Sequence, residues 1–127
     1  MNNGRIAIPS DGNGGLKGIR SQHFGHCDVF TLIDIENGAI KTETILNNED
    51  HDHGGCMVPV NLLAKNNVTA IIVAGIGRRP LTGFNEVEID VYIDTYDPQI
   101  SPVVEKLIKD DLQKMSLDEA CGGGNCH

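Results

Sequence analysis

The 127-residue sequence has no tryptophan and only three phenylalanines and two tyrosines. Flat surfaces on which nucleic-acid bases stack are therefore scarce. Positive charge is also in short supply: ten Lys and Arg stand against eighteen Asp and Glu, a formal charge of −8. Nucleic-acid binding draws most of its affinity from clustered Lys and Arg, so no nucleic-acid partner is expected. Long apolar runs are missing as well. The most apolar stretch, "VTAIIVAGI", is far too short to cross a bilayer, and "MNNGRIAIPS" lacks the charged-then-apolar pattern of a secretory signal. These absences point to a cytoplasmic protein with no membrane partner. The four cysteines, Cys27, Cys56, Cys121 and Cys126, include no C-x-x-C pair, which disfavours a thiol-redox enzyme. A chain of this length buries roughly two-thirds of the surface its unfolded form exposes and needs no disulfide staples. In a reducing compartment its thiols remain for metal chemistry.

What is present divides into short elements. "RIAIP", residues 5 to 9, reads as a strand ending at Pro9. "SDGNGGLKGI" follows as a glycine-rich loop, without the GxxxxGK[ST] or GxGxxG spacing of a phosphate loop and with no helix after it. "VFTLIDIE" (29–36) and "AIKTETIL" (39–46) alternate around Asn37-Gly38, the strongest short-range hairpin signal. After a loop over 47–55, "CMVPVNLLAKNN" predicts a helix with Pro59 in its first turn and Asn66-Asn67 as its stop. "VTAIIVA" (68–74) is apolar throughout, as a strand covered on both faces should be. "GIGRRPLTGFNE" gives a turn and short helix, "VEIDVYID" (87–94) a strand, and Ser101-Pro102 caps a helix with Val103, Val104, Leu107 and Ile108 on one face. The order is β-β-β-α-β-α-β-α. Residues 1–115 form one α/β domain. Residues 116–127, "SLDEACGGGNCH", form a tail too glycine-rich to be ordered without a ligand.

Strand direction then brings distant residues to one edge. If strand 1 ends at the rim, strand 2 starts there and strand 3 returns there. The right-handed crossover through the helix makes strand 4 parallel to strand 1, so it finishes there too. His23, His26, Cys27, His51, His53, Cys56 and the Gly75-Ile76-Gly77 turn therefore line one rim, outside the carboxyl ends of the parallel strands. Cys56 opens a helix, where the positive end of the dipole favours thiolate, the form that ligates metal. Gly54 and Gly55 let backbone approach closely. Gly75 and Gly77 present amides, while Arg78 and Arg79 add positive charge. Such a rim suits an anionic metal-sulfur cluster or oxometalate better than a bare cation. In the tail, Cys121 and Cys126 with His127 make half of a metal site, able to add ligands to a guest already held.

The motifs "RIAIPSD", "SQHFGHCDVFTLIDIENG", "HDHGGCMVPVNLLAKNNVTAIIVAGIG" and "IDVYI" together resemble the dinitrogenase iron-molybdenum cofactor accessory family over about residues 5 to 110. The resemblance implies a ribonuclease-H-like five-stranded mixed sheet with flanking helices and strand order 3-2-1-4-5. It also implies a non-catalytic role in binding or transferring a metal cluster, and it points to His26, Cys27, His53, Gly55 and Cys56.

The leading expectation is thus a small monomeric carrier or scaffold for an iron-sulfur or molybdenum-containing cluster, working with a protein that donates or accepts the cluster. The alternative is a zinc or copper buffer or sensor using the same His and Cys side chains. An enzyme is not expected. A two-metal nuclease needs carboxylates converging on its ions, one commonly on the central strand, and "RIAIP" has none.

Overall fold

The computed structural model describes residues 2–22, 24, 27–48 and 57–115. Its strands are β1 (Gly4–Ser10), β2 (Val29–Glu36), β3 (Ala39–Asn47), β4 (Ala70–Val73), β5 (Asp90–Ile93) and β6 (Gln113–Lys114). Its helices are α1 (Met57–Lys65), α2 (Arg78–Glu86) and α3 (Ile100–Ile108). One mixed sheet runs β3-β2-β1-β4-β5-β6, with β1, β4 and β5 parallel and the other pairings antiparallel.

The hairpin forms where the alternation predicts it. Asn37 and Gly38 take φ of 55° and 77°, the left-handed pair of a type I′ turn, whose twist matches that of the flanking strands. Between Thr42, opposite Asp34, and Ile40, opposite Ile35, β3 carries one extra residue, Lys41. A bulge bearing a lysine on an edge strand discourages pairing with another chain.

Alternation of side chains along the strands makes two cores. On one face Ala7, Phe30, Leu32, Ile71, Val73 and Val91 pack against Val60 and Leu63 of α1 and Leu81 and Phe84 of α2. On the other, Ile6, Ile8, Ile33 and Ile72 pack against Ile100, Val103, Val104 and Leu107 of α3. The continuous apolar run of β4 is thereby explained: all four of its residues are buried, alternately under α1/α2 and under α3.

The sheet has six strands, not five. β6 pairs Lys114 with Tyr92 and Gln113 with Ile93, and the Met115 amide donates to Val91 O at 2.7 Å. Two residues are too few to show alternation, so nothing in the sequence announces this strand. β4 and β5 are also shorter than their apolar runs. Glu88 is in the left-handed region at φ 61°, so the chain is still turning where the run of 87–94 begins.

The start of α3 differs in mechanism from the expected Ser101 cap. Gln99 is the N-cap and its side chain caps nothing. The amides of Ile100 and Ser101 donate instead to Gly18 O and Leu16 O, at 3.2 and 3.1 Å. The glycine-rich loop thus supplies carbonyls to a helix start rather than amides to a phosphate. Gly14 allows the loop to lie this close: its φ is +67°, and a Cβ there would stand 2.8 Å from both Thr31 Oγ1 and Val29 Cγ2. Among the described residues, no helix is long and apolar enough to cross a membrane.

Candidate functional site

Ser10, the last residue of β1, lies opposite Val29, the first of β2, and Val29 lies opposite Asn47, the last of β3. The carboxyl ends of β4 and β5 share that edge because both strands are parallel to β1. The rim derived from strand direction is therefore real. It contains a topological switch point, since the chain leaves β1 toward β2 on one side and leaves β4 toward β5 on the other. Ligands of open α/β sheets bind at such crevices.

Polar burial singles out the same edge. The buried polar residues among those described are Ser10, Arg20, Ser21, Thr31 and Asp94, and every one lies at or just beyond the rim ends of β1, β2 and β5. Ser10 Oγ donates to Ile8 O at 2.7 Å and lies 2.7 Å from Thr31 Oγ1. With its proton committed to Ile8, Ser10 accepts from Thr31, which in turn accepts the Gly15 amide at 2.9 Å.

Asp94 organises the turn after β5. Its Oδ1 accepts the amides of Tyr96 and Asp97 at 2.7 and 2.9 Å, and its Oδ2 accepts Lys106 Nζ at 2.9 Å. Burial pushes this carboxyl up, but the two amides and Lys106 outweigh that and hold it below its ordinary range. Lys106 also reaches Asp97 Oδ2 at 2.8 Å, and the two carboxylates hold its ammonium above its usual value.

Arg20 joins this turn to the glycine-rich loop. Its backbone bridges to Ser10, its amide donates to Pro98 O at 2.7 Å, and Nε and Nη2 donate to Asp97 O at 3.2 and 2.8 Å. The backbone of Arg20 thus lies between Ser10, at the end of β1, and Pro98, in the segment after β5, and the side chain closes on the neighbouring Asp97 O. Arg20 is 5 % exposed, and its Nη1 is buried with no hydrogen-bond partner among the described residues. Burial lowers its pKa, against the opposing pull of Asp94 and Asp97.

Of the predicted metal ligands, Cys27 is described. It lies at the rim but belongs to the α1/α2 core with Phe24 and Phe30. Its Sγ donates to Phe24 O at 3.5 Å, while Asn48 Nδ2 donates to Cys27 O at 2.9 Å and stands 3.7 Å from Sγ. Burial pushes the thiol up to about 12, so in this arrangement Cys27 is a protonated, hydrophobe-like side chain.

Gly75 and Gly77 follow β4 as expected. Gly77 is the N-cap of α2, with no side-chain cap. Pro80, third in that helix, has no N–H, which leaves this terminus fewer donors than most. Arg78 and Arg79 are exposed. His23, His26, His51, His53, Gly54, Gly55, Cys56, Cys121, Cys126 and His127 lie outside the described residues. Among the described residues, no three His, Cys, Asp or Glu side chains are grouped to hold a metal ion.

Sequence reasoning did not single out Arg20, Asp94 or Lys106. "DTYDP" carries the signature of an Asx turn and could have flagged Asp94; nothing marks Arg20. The buried guanidinium with an N–H left unfilled among the described residues fits an anionic guest and does not fit a bare cation.

Comparisons with known proteins bear on family and fold. The family described as dinitrogenase iron-molybdenum cofactor matches residues 4–110. An uncharacterized protein of Methanocaldococcus jannaschii is 39 % identical over 90 residues, 69 % of this chain and 72 % of that protein. The solved structure of the protein PH0822 superposes with a TM-score of 0.74 at 29 % identity, covering 87 % of this chain and 96 % of that one. The apo form of the orange protein from Desulfovibrio gigas superposes with a TM-score of 0.76 at 20 % identity, covering 88 % and 92 %, and this likeness concerns the fold. With its family match spanning both the sheet and the rim, the chain belongs to the dinitrogenase iron-molybdenum cofactor family.

Proposed function

We propose that the protein is a non-catalytic carrier or scaffold for an iron-sulfur or molybdenum-containing cluster during cofactor assembly or trafficking, passing its cargo to or from a partner protein. Family membership supports the class of cargo. The observation that carries the reading to this chain is the gathering of its buried polar residues, including a guanidinium, at the edge to which the topology also leads the His- and Cys-bearing segments. Cys56, immediately before α1, is the principal ligand in this reading, with His51, His53 and His26 around it, while Cys27, buried and protonated in this arrangement, joins only by giving up its proton to bind metal. The tail cysteines Cys121 and Cys126 guard the guest. β6 runs antiparallel to β5, so the chain points away from the rim at Met115. From there to Cys126 an extended chain spans roughly 36 Å at ~3.3 Å per residue, enough to return across a small domain.

Anaerobic reconstitution with iron, sulfide and molybdate, read by visible absorption and by metal and sulfide content, tests the reading. Cys56→Ser should lose most of the bound cluster, whereas deletion of residues 117–127 should leave a weaker, more oxygen-sensitive but recognisable complex. A truncated protein that binds nothing, beside a Cys56→Ser protein that binds normally, would place the metal site in the tail and overturn the proposal. Bound zinc or copper without sulfide would point to a metal buffer instead.

A further inference from the structure

We infer that Arg20 is the cation that holds an anionic guest at the switch point between β1 and β4, through the N–H it leaves unused in the free protein. The inference rests on the cluster-binding reading only for the identity of the guest; the anion site itself stands on geometry.

Three observations converge. First, Arg20 is oriented without using its Nη1: Nε and Nη2 share one acceptor, Asp97 O, and this fixes the guanidinium plane while the remaining nitrogen is buried and, among the described residues, unpartnered. Buried donors in native proteins are nearly always satisfied, and an orphan usually marks the place of a water, an ion or a ligand. Second, the carboxylates nearby are already engaged. Asp94 is held by two amides and Lys106, and the Asp97 carboxylate by Lys106, so both attract the guanidinium through space but, among the described residues, neither carboxylate takes up its free N–H. Third, the Arg20 backbone is bridged to Ser10 at the end of β1 and bonded to Pro98 after β5, so the residue sits at the rim of the parallel strands, where open α/β sheets take their ligands.

Charge sharpens the point. A chain with a net charge of −8 repels a dianion at long range. Attraction must then come from a local cation in a low-dielectric setting, where one charge counts for more than it does on the surface. The exposed Arg78 and Arg79 face water and salt, which screen them. Arg20 is the cation placed where screening is weak.

The test uses the full chain and molybdate alone, a tetrahedral dianion, in phosphate-free buffer of low ionic strength. Wild type should show saturable binding by calorimetry and a thermal midpoint that rises with molybdate. Arg20→Gln, which keeps a donor for Asp97 O, should bind at least tenfold more weakly and lose that rise. Arg20→Lys, which keeps the charge, should retain a rise. Should Arg20→Gln fail to fold, the Arg20 Nε–H resonance of wild type in 1H–15N spectra decides: it should move as molybdate is added.

Absence of molybdate binding to wild type, equal binding by Arg20→Gln, or an unmoved Arg20 signal would each overturn the inference and leave a buried water as the partner of Nη1. The cluster reading fails separately. A protein that binds molybdate through Arg20 yet retains no iron or sulfide after reconstitution keeps the anion site and loses the cluster. Normal cluster loading by Arg20→Gln keeps the cluster and loses the role of Arg20.

Discussion

The two ends of the sheet solve the same problem, holding polar groups at strand termini, in opposite ways. At the hairpin end Asp34 accepts Arg5 Nε at 2.7 Å and both side chains remain about one-third exposed, while Lys41 and Glu36 pair in open solvent. At the rim end the Asp94 side chain is 1 % exposed, Ser10 and Thr31 are fully buried, and each is satisfied by backbone or side chains from a different segment. Ion pairs of the first kind can be lost at little cost; polar groups of the second kind cannot, because removing one partner strands another away from water. The difference teaches where precision is needed. The pairs at the hairpin end stay in contact with water, whereas the groups at the rim tie several loops in fixed relation.

The largest expected effect falls on the rim turn. Asp94→Ala removes three hydrogen bonds and half of a buried ion pair, and should destabilise by about 3 kcal/mol in urea melts at pH 7. The carboxyl's pKa is lowered on folding, so its stabilisation is present above the unfolded value of ~3.9 and is lost as pH falls through the folded value. The gap between wild type and Asp94→Ala should therefore hold near neutrality and close in acid below pH ~4. A gap that persists in acid would mean that lost packing, not charge, is responsible.

Next comes Thr31→Val, nearly isosteric, which leaves the Gly15 amide without its acceptor and Ser10 without a donor. A loss of about 2 kcal/mol is expected by the same melts. At the other end Asp34→Asn should cost under about 1 kcal/mol, because the pair it weakens is partly solvated. If it cost as much as Asp94→Ala, the contrast between the two ends would collapse. Least of all should chelation matter. The two cores are complete without metal, so far-UV circular dichroism and the thermal midpoint should be unchanged by a chelator, unlike a zinc finger, which unfolds.

The elements carrying strong local chemistry were legible in the sequence. Asn37-Gly38 fixed the hairpin, Pro59 and Asn66-Asn67 bracketed α1, and the unbroken apolar run of β4 announced a strand covered on both faces. From these, chain direction alone placed Cys27 and the Gly75–Gly77 turn on one rim. What stayed hidden depends on partners far along the chain. β6 is a two-residue strand that exists because Tyr92 and Ile93 offer it an edge. The helix start at Ile100 is satisfied by Gly18 and Leu16, which no pattern around Ser101 reveals. The orphaned nitrogen of Arg20 is likewise a property of the folded surroundings, and Cys27 shows the limit in another way: its position was deduced, but its protonated, core-like state follows from Phe24 and Phe30 closing over it.

The bonds from Arg20 to Asp97 O join residues 77 apart in sequence. A nascent chain emerging from the ribosome can zip the β2–β3 hairpin within microseconds of its appearance, but it cannot close the rim until the turn after β5 has been synthesised. Contacts of such separation bear the highest loop-closure entropy and are expected to form late. Until then Arg20 has no acceptor to fix its orientation, and the order of the rim arrives as one of the final events of folding.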